Sequence, residues 1–189
     1  MIMTRRHALA ALMAGGGAGA LVSRYRDPFL YISHFDGIMG TSLELRIRAV
    51  SEAAAQRAEK AVLAEIDRQS RILSAYDPTS EFSQWARTSG ATTRVSPELA
   101  DVLIAFDTWT MRTGRAIDAS SEAIARVWQQ AARDGSLPDP TALQLVVDTT
   151  QQRHWSVDRR ARTATRTSAV PIALNSFTKS YVIDHAAQR

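Results

Sequence analysis

The sequence contains no cysteine. Disulfide bonds, thiolate metal sites and a lipid-modified cysteine are therefore excluded, and stability has to come from a packed core. Lysine is nearly as scarce, since only Lys60 and Lys179 accompany twenty-one arginines. Hydrophobic residues make up 45% of the 189 positions, which is sufficient for the core of one domain.

Most short catalytic and cofactor motifs are also absent. The four histidines are scattered and form no metal-binding pair at helical spacing. The chain has no Gly-x-Ser-x-Gly elbow and no phosphate loop ending in Gly-Lys-Ser or Gly-Lys-Thr. The one glycine cluster, Gly15 to Gly19, belongs to an N-terminal targeting segment and does not predict a dinucleotide site.

The first twenty residues have the layout of a secretion signal. Arg5 and Arg6 precede a weakly apolar stretch diluted by glycines, and Ala18-Gly19-Ala20 offers small residues for cleavage. The paired arginines favour the twin-arginine route, and a membrane span needs ~20 predominantly apolar residues. We expect residues 1–20 to be removed and residues 21–189 to form a periplasmic domain. An uncleaved signal that associates with the membrane is the alternative.

Export removes much of the apparent basicity. The formal net charge of +4 includes Arg5 and Arg6, while all acidic residues lie beyond position 20. The densest basic run, at positions 159–166, is explained by a solvated hairpin face. We therefore expect no nucleic-acid partner.

Hydrophobic periodicity and capping residues predict one α+β domain, with strands at both ends of the chain forming a mixed or antiparallel sheet packed against helices. We expect a connecting segment over residues 25–40 and strands over 42–50, 154–157, 162–167 and 170–174. The predicted helices cover Glu52–Leu73, a short stretch after Ser80, Ser96 to Gly114, Ser121–Arg133, a stretch from Pro140, and a last one capped by Asn175.

Four short segments carry possible chemistry: Met39-Gly40-Thr41, residues 74–81, residues 114–118 and residues 174–184. Ordinary turns and helix ends explain the first three when each is considered alone. In the fourth, a strand leads into a helix whose first turn precedes Lys179, an arrangement that suits a phosphate. The simpler interpretation makes Tyr181 a core aromatic residue and Asp184 a solvated acid.

Taken in order, the four segments resemble the FAD:protein FMN transferases, the ApbE or NosX-like flavin transferases. Met39-Gly40-Thr41 is similar to the family's Met-Gly-Thr, and residues 76–81 are similar to its Tyr-x-Pro-x-Ser-Glu. Residues 114–118 resemble its Gly-x-Phe-Asp segment, and residues 173–184 resemble Asp-Leu-Gly-Gly-Ile-Ala-Lys-Gly-Tyr-Ala-Val-Asp. The resemblance covers essentially the whole mature chain.

The resemblance implies transfer of FMN from FAD to a threonine or serine hydroxyl of a target flavoprotein, with release of AMP and with Mg²⁺ bound near the phosphates. It assigns no catalytic residue, and it places the backbone carbonyl of Ser176 at the metal. The FAD contacts that it implies are Met39, Tyr76, Ala116, Ile117, Asp118, Ala173 and Lys179.

The chain also departs from the family pattern. Ala173 replaces an aspartate, and Asn175, Ser176 and Ser180 replace glycines. The family continues beyond the position of Arg189, so we expect a truncated chain with an exposed sheet edge that promotes aggregation. A flavin-binding module without transfer activity and a structural domain without a ligand are the alternative functions.

Overall fold

The computed structural model describes residues 29–189, apart from the side chains of Asn175 and Ser176. The signal peptide predicted for residues 1–20 lies outside the described residues. Within the described part of the chain, no helix has the length and apolar character needed to cross a bilayer.

The described residues form an α+β fold with two antiparallel sheets, which confirms the predicted class. The first sheet pairs β1 (Phe29–Ile38) with β2 (Thr41–Ala49), and the second has the order β3 (Thr92–Arg94), β5 (Thr163–Arg166), β4 (Trp155–Asp158). The helices are α1 (Glu52–Leu73), α2 (Glu81–Ala86), α3 (Pro97–Arg112), α4 (Ser121–Arg133), α5 (Pro140–Thr150) and α6 (Asn175–Ala187).

Strand β1 corrects the prediction of a connecting segment over residues 25–40. Its apolar residues do not alternate cleanly, because Leu30 and Ile32 lie on its exposed side. The turn-forming pair Asp36-Gly37 does not end the strand either. This pair lies between Phe35 and Ile38, where the pairing register with β2 shifts. The strand therefore continues through the pair with a local irregularity in its pairing.

A strand over residues 170–174 was expected as well, and that prediction is wrong. The backbone N–H of Ala173 donates to the carbonyl of Ala119, and the carbonyl of Val170 accepts from the Arg166 side chain. These groups bond to a loop and to a side chain, so no ladder forms. The second sheet instead gains β3, which sequence periodicity missed because its residues are polar.

Serine caps set the helix starts as expected. The hydroxyls of Ser80 and Ser96 accept from the backbone N–H groups of Ser83 and Leu99 at 3.0 and 3.2 Å. At the last helix the prediction of an Asn175 cap is wrong: helix α6 begins with Asn175, and the buried Leu174 takes the cap position.

The core lies between α1, α3, α6 and the second sheet. Trp85 and Trp155 contact edge to face with centroids 6.5 Å apart, and the indole N–H of Trp85 donates to the Ala164 carbonyl at 3.3 Å. Leu103 on α3 and Val182 on α6 are fully buried. This packing fixes α6 against α1 beside the β1–β2 turn.

Candidate functional site

A cleft of about 320 Å³ lies where the β1–β2 turn, the end of α1 and the start of α6 meet. We call it the hairpin cleft. Three predicted site residues, Met39, Tyr76 and Lys179, come together there although they are far apart in the sequence. The other lining residues are Gly37, Gly40, Ser70, Leu73, Ser74, Ala75 and Thr178.

Met39 reaches the cleft from a strained turn. The two turn residues between the paired Ile38 and Thr41 both have positive φ, at 52° for Met39 and 72° for Gly40. Such two-residue turns match the twist of a hairpin, but a positive φ is unfavourable for a residue with a side chain. The half-buried Met39 side chain also packs against the core, which holds it in this conformation.

Tyr76 lies on a braced loop, residues 74–80, which we call the Tyr76 loop. The Ser74 hydroxyl accepts from the backbone N–H groups of Tyr76 and Asp77 at 3.2 and 3.1 Å. The Ser80 hydroxyl donates to the Ser74 carbonyl at 2.5 Å, which closes the loop. Tyr76 itself is 82% exposed, so the loop presents an aromatic ring at the cleft.

Asp77 stiffens the same loop. Its carboxylate accepts from the backbone N–H and the hydroxyl of Thr79 at 2.8 and 2.7 Å. The hydroxyl bond, followed by the backbone bond, lowers the pKa of Asp77 below its ordinary value. The ionised carboxylate of Asp77 therefore stabilises the conformation of the loop.

Lys179 lies in the second turn of α6 and is exposed. The preceding Thr178 is buried, and its hydroxyl donates to the Leu174 carbonyl at 2.8 Å. This anchor fixes the first turn of the helix, while the N-terminal end of α6 favours negative charge. The combination of a helix start and a lysine suits an anionic ligand.

The segment Ala116 to Asp118 lies at a different place. Helix α3 ends in a Schellman arrangement, with the N–H of Arg115 donating to the Thr110 carbonyl at 2.8 Å. Asp118 accepts from the N–H and the hydroxyl of Ser120 at 2.9 and 2.6 Å and forms an ion pair with Arg115. Its carboxylate is thus occupied by the turn.

Asp118 lines a second cleft of about 380 Å³, together with Asp107, Arg153 and His154. Ala116 is exposed, and Ile117 is half-buried against the core. Neither residue lines the hairpin cleft. Ala173, another predicted FAD contact, does not line the hairpin cleft either, and its backbone N–H donates to the carbonyl of Ala119, the residue after Asp118, at 2.9 Å.

Sequence reasoning missed Ser70, and it included Ser74 and Thr178 only as members of longer segments without assigning them a role. Ser70 and Ser74 lie one helical turn apart at the end of α1, and Thr178 lies beside Lys179. The i, i+4 spacing of the two serines was the available signal, because it places both on one helix face.

The structure leaves the metal prediction open. Across residues 29–189, no three histidine, aspartate or glutamate side chains are grouped closely enough to hold a metal ion. The described side chains therefore offer no acidic cluster for a magnesium ion. The predicted contact of the ion with the backbone carbonyl of Ser176 stays a prediction.

Comparison with known proteins identifies relatives. The model of the ApbE family matches residues 39–189. An ApbE protein from Thermotoga maritima superposes with a TM-score of 0.72 at 18% identity, and the flavinyl transferase ApbE of Pseudomonas stutzeri, in its apo form, with 0.72 at 17%. The flavin transferase ApbE of Vibrio cholerae gives 0.70 at 19%. A search of curated proteins gave no match.

The matches cover most of this chain and about half of each solved structure. The shares of this chain are 85%, 87% and 84%, and those of the Thermotoga, Pseudomonas and Vibrio proteins are 52%, 55% and 53%. At these identities the superpositions establish a shared fold.

Proposed function

This chain belongs to the ApbE family, and from that membership we propose that it is a flavin transferase that uses FAD as its substrate. It moves FMN onto a threonine or serine hydroxyl of a target flavoprotein and releases AMP. The observation that carries the proposal is the hairpin cleft, which gathers Met39, Tyr76 and Lys179 from three separate segments of the chain.

The chemistry of the cleft suits a flavin nucleotide. Met39 and the ring of Tyr76 offer apolar and aromatic surface for a flat heterocycle. Lys179 offers a flexible cation for a phosphate at the start of α6. The cleft thus combines the two kinds of contact that one FAD molecule requires.

The proposed transfer exchanges the phosphoanhydride linkage of FAD for a phosphate ester on the target hydroxyl. The target hydroxyl oxygen forms a bond to the phosphorus of the FMN moiety while the pyrophosphate P–O bond breaks, and AMP leaves with the bonding electron pair. The hydroxyl proton passes to solvent. Lys179 offsets phosphate charge and holds the pyrophosphate in position as this charge builds up.

Magnesium dependence is part of the proposal through the family resemblance. The described residues offer no carboxylate cluster for the ion, so none of the steps assigned to this chain depends on it. The proposed partner is a flavoprotein of a membrane or periplasmic redox system, reached through twin-arginine export to the periplasm.

The two lysines allow a matched test. We would incubate the full chain with FAD, Mg²⁺ and a threonine-containing target domain, and measure the mass of the target. The Lys179→Ala variant is expected to lose transfer and to bind FAD about tenfold more weakly. Lys60→Ala removes the same charge from an exposed site on α1 and is expected to behave as wild type.

The outcomes separate the candidate functions. If the chain binds FAD but the mass of the target does not increase, the transferase proposal is contradicted, and the chain is a flavin-binding module without transfer activity. Equal behaviour of the two lysine variants would contradict the assignment of the hairpin cleft. If the folded chain does not bind FAD, both the transferase function and the flavin-binding function are contradicted.

A further inference from the structure

A third cleft, of about 310 Å³, shares Ala75 with the hairpin cleft. Its walls come from α2, α4, β5 and the segment at positions 169–172. Three arginines line it, Arg87, Arg126 and Arg166, and none of the described residues that line it is acidic. We call it the arginine cleft.

Arg166 is the unusual member of this set. The basic run at positions 159–166 was expected to be a solvated face, and for Arg166 that expectation is wrong, because its position on β5 points it inward and only 3% of it is exposed. Its guanidinium carbon lies 5.9 Å from the centre of the Trp85 ring. The ring contact and the strand position together keep the charge inside the protein.

The hydrogen bonds of Arg166 leave its charge uncompensated. Two nitrogens donate to the carbonyls of His154 and Val170 at 3.2 and 2.6 Å, and the buried Nε has no partner. None of the ion pairs found between residues 29 and 189 includes Arg166. Burial lowers its pKa, although a guanidinium stays charged. A buried cation without a counter-charge is costly.

The other two arginines retain free donors. Arg87 donates from one nitrogen to the Pro78 carbonyl at 2.9 Å, and Arg126 pairs through Nε with Glu122 at 2.8 Å. Both side chains are exposed. Each guanidinium carries five N–H groups, so several remain available to a ligand at the mouth of the cleft.

We propose that the arginine cleft binds a phosphate-class oxyanion, with Arg166 as its buried donor and Arg87 and Arg126 at the entrance. Guanidinium groups bind phosphate oxygens through paired, charge-assisted hydrogen bonds. The ligand is inorganic phosphate or the phosphate of a nucleotide. This inference does not depend on the transferase proposal, because it rests on the three arginines of this cleft.

The test is calorimetric titration of the full chain, at low ionic strength, with inorganic phosphate, with AMP and with uncharged riboflavin. Phosphate is expected to bind saturably, and Arg126→Gln and Arg87→Gln are each expected to weaken binding about tenfold. Arg133→Gln is the matched control, since Arg133 lies on the same helix as Arg126, is exposed and does not line the cleft. Circular dichroism verifies that each variant is folded.

Tighter binding of AMP than of phosphate would identify a nucleotide as the source of the anion, and equal binding would identify free phosphate. The inference is overturned if phosphate does not bind saturably, or if Arg133→Gln weakens binding as much as Arg126→Gln. It is also overturned if only Lys179→Ala removes phosphate binding, because the anion would then lie in the hairpin cleft. If the chain binds phosphate but not FAD, the transferase proposal is contradicted and the oxyanion site in the arginine cleft is supported.

Discussion

The carboxylate of Glu81 accepts a hydrogen bond from the backbone N–H of Ser96 at 2.6 Å. Glu81 is the last residue of the motif Tyr-x-Pro-x-Ser-Glu, and Ser96 caps helix α3. This motif thus ends in a structural contact that joins α2 to the start of α3. Ser80, which caps α2, has a structural role of the same kind.

We therefore expect Glu81→Ala to destabilise the protein without acting directly on FAD. Loss of a charge-assisted hydrogen bond that is partly buried should lower the free energy of unfolding by about 1.5–3 kcal/mol, measured by denaturant titration. Glu52→Ala is the control, because Glu52 also lies in the first turn of a helix but is exposed, and its loss should cost less than about 1 kcal/mol. Equal costs for the two variants would contradict this role.

Asp118 is expected to be more important for stability than its neighbour Asp107 in the same cleft. Asp118 is 12% exposed and holds both Ser120 and Arg115, so Asp118→Ala should cost about 2 kcal/mol. Among residues 29–189, Asp107 pairs only with the exposed Arg153, and Asp107→Ala should cost less than about 1 kcal/mol. Thermal unfolding of the two variants measures both losses of stability. A larger loss for Asp107→Ala than for Asp118→Ala would refute the prediction.

Replacing Met39 by glycine should weaken FAD binding while the protein stays folded. Glycine relieves the positive φ of 52°, which offsets its greater entropy in the unfolded chain, while the lost core contacts of the half-buried side chain should lower the free energy of unfolding by about 1–2 kcal/mol. The apolar side chain at the cleft is lost, and FAD affinity should fall. Fluorescence titration measures the affinity. A variant that binds FAD as wild type does would show that the Met39 side chain takes no part in binding.

Acid should destabilise the protein through Glu65. Its side chain is 5% exposed, and the hydrogen bond from Arg68 is the main cause that lowers its pKa to about 2, against the opposing effect of burial. Because the folded pKa lies below the unfolded value of about 4.3, this contribution is complete above that value and is lost as the pH falls toward 2.

The measurement is the free energy of unfolding between pH 6 and pH 2, in wild type and in Glu65→Gln. The variant should be about 2 kcal/mol less stable at neutral pH, because the hydrogen bond from Arg68 loses its charged acceptor. It should also show a smaller loss of stability on acidification. Parallel pH curves for the two proteins would rule out Glu65 as a source of the acid sensitivity.

The helices were predictable because their signals are local. The bounds of α1 and α4 agree with the sequence prediction, since apolar spacing and, for α1, the capping residue Ser51 are carried by the segment itself. Strand β1 was missed because its exposed face is also apolar. The segment at 170–174 has the composition of a strand, but its bonding partners are a loop and a side chain, which no local pattern encodes.

The candidate site was predictable only in part. Family resemblance named Met39, Tyr76 and Lys179, and the fold brings them to one cleft. The burial of Arg166 could not be read from a run of arginines, because it depends on which side of β5 faces Trp85. Tertiary packing, and not residue type, separates this buried cation from the exposed arginines around it.

The bracing of the Tyr76 loop has a kinetic consequence. Ser74 and Asp77 accept hydrogen bonds from within the loop and Ser80 donates one, which fixes the shape of the loop. A ligand therefore meets the Tyr76 loop already in its final shape and does not have to order it. Association at the hairpin cleft should proceed in a single kinetic phase whose rate rises linearly with ligand concentration, without a slow closing step.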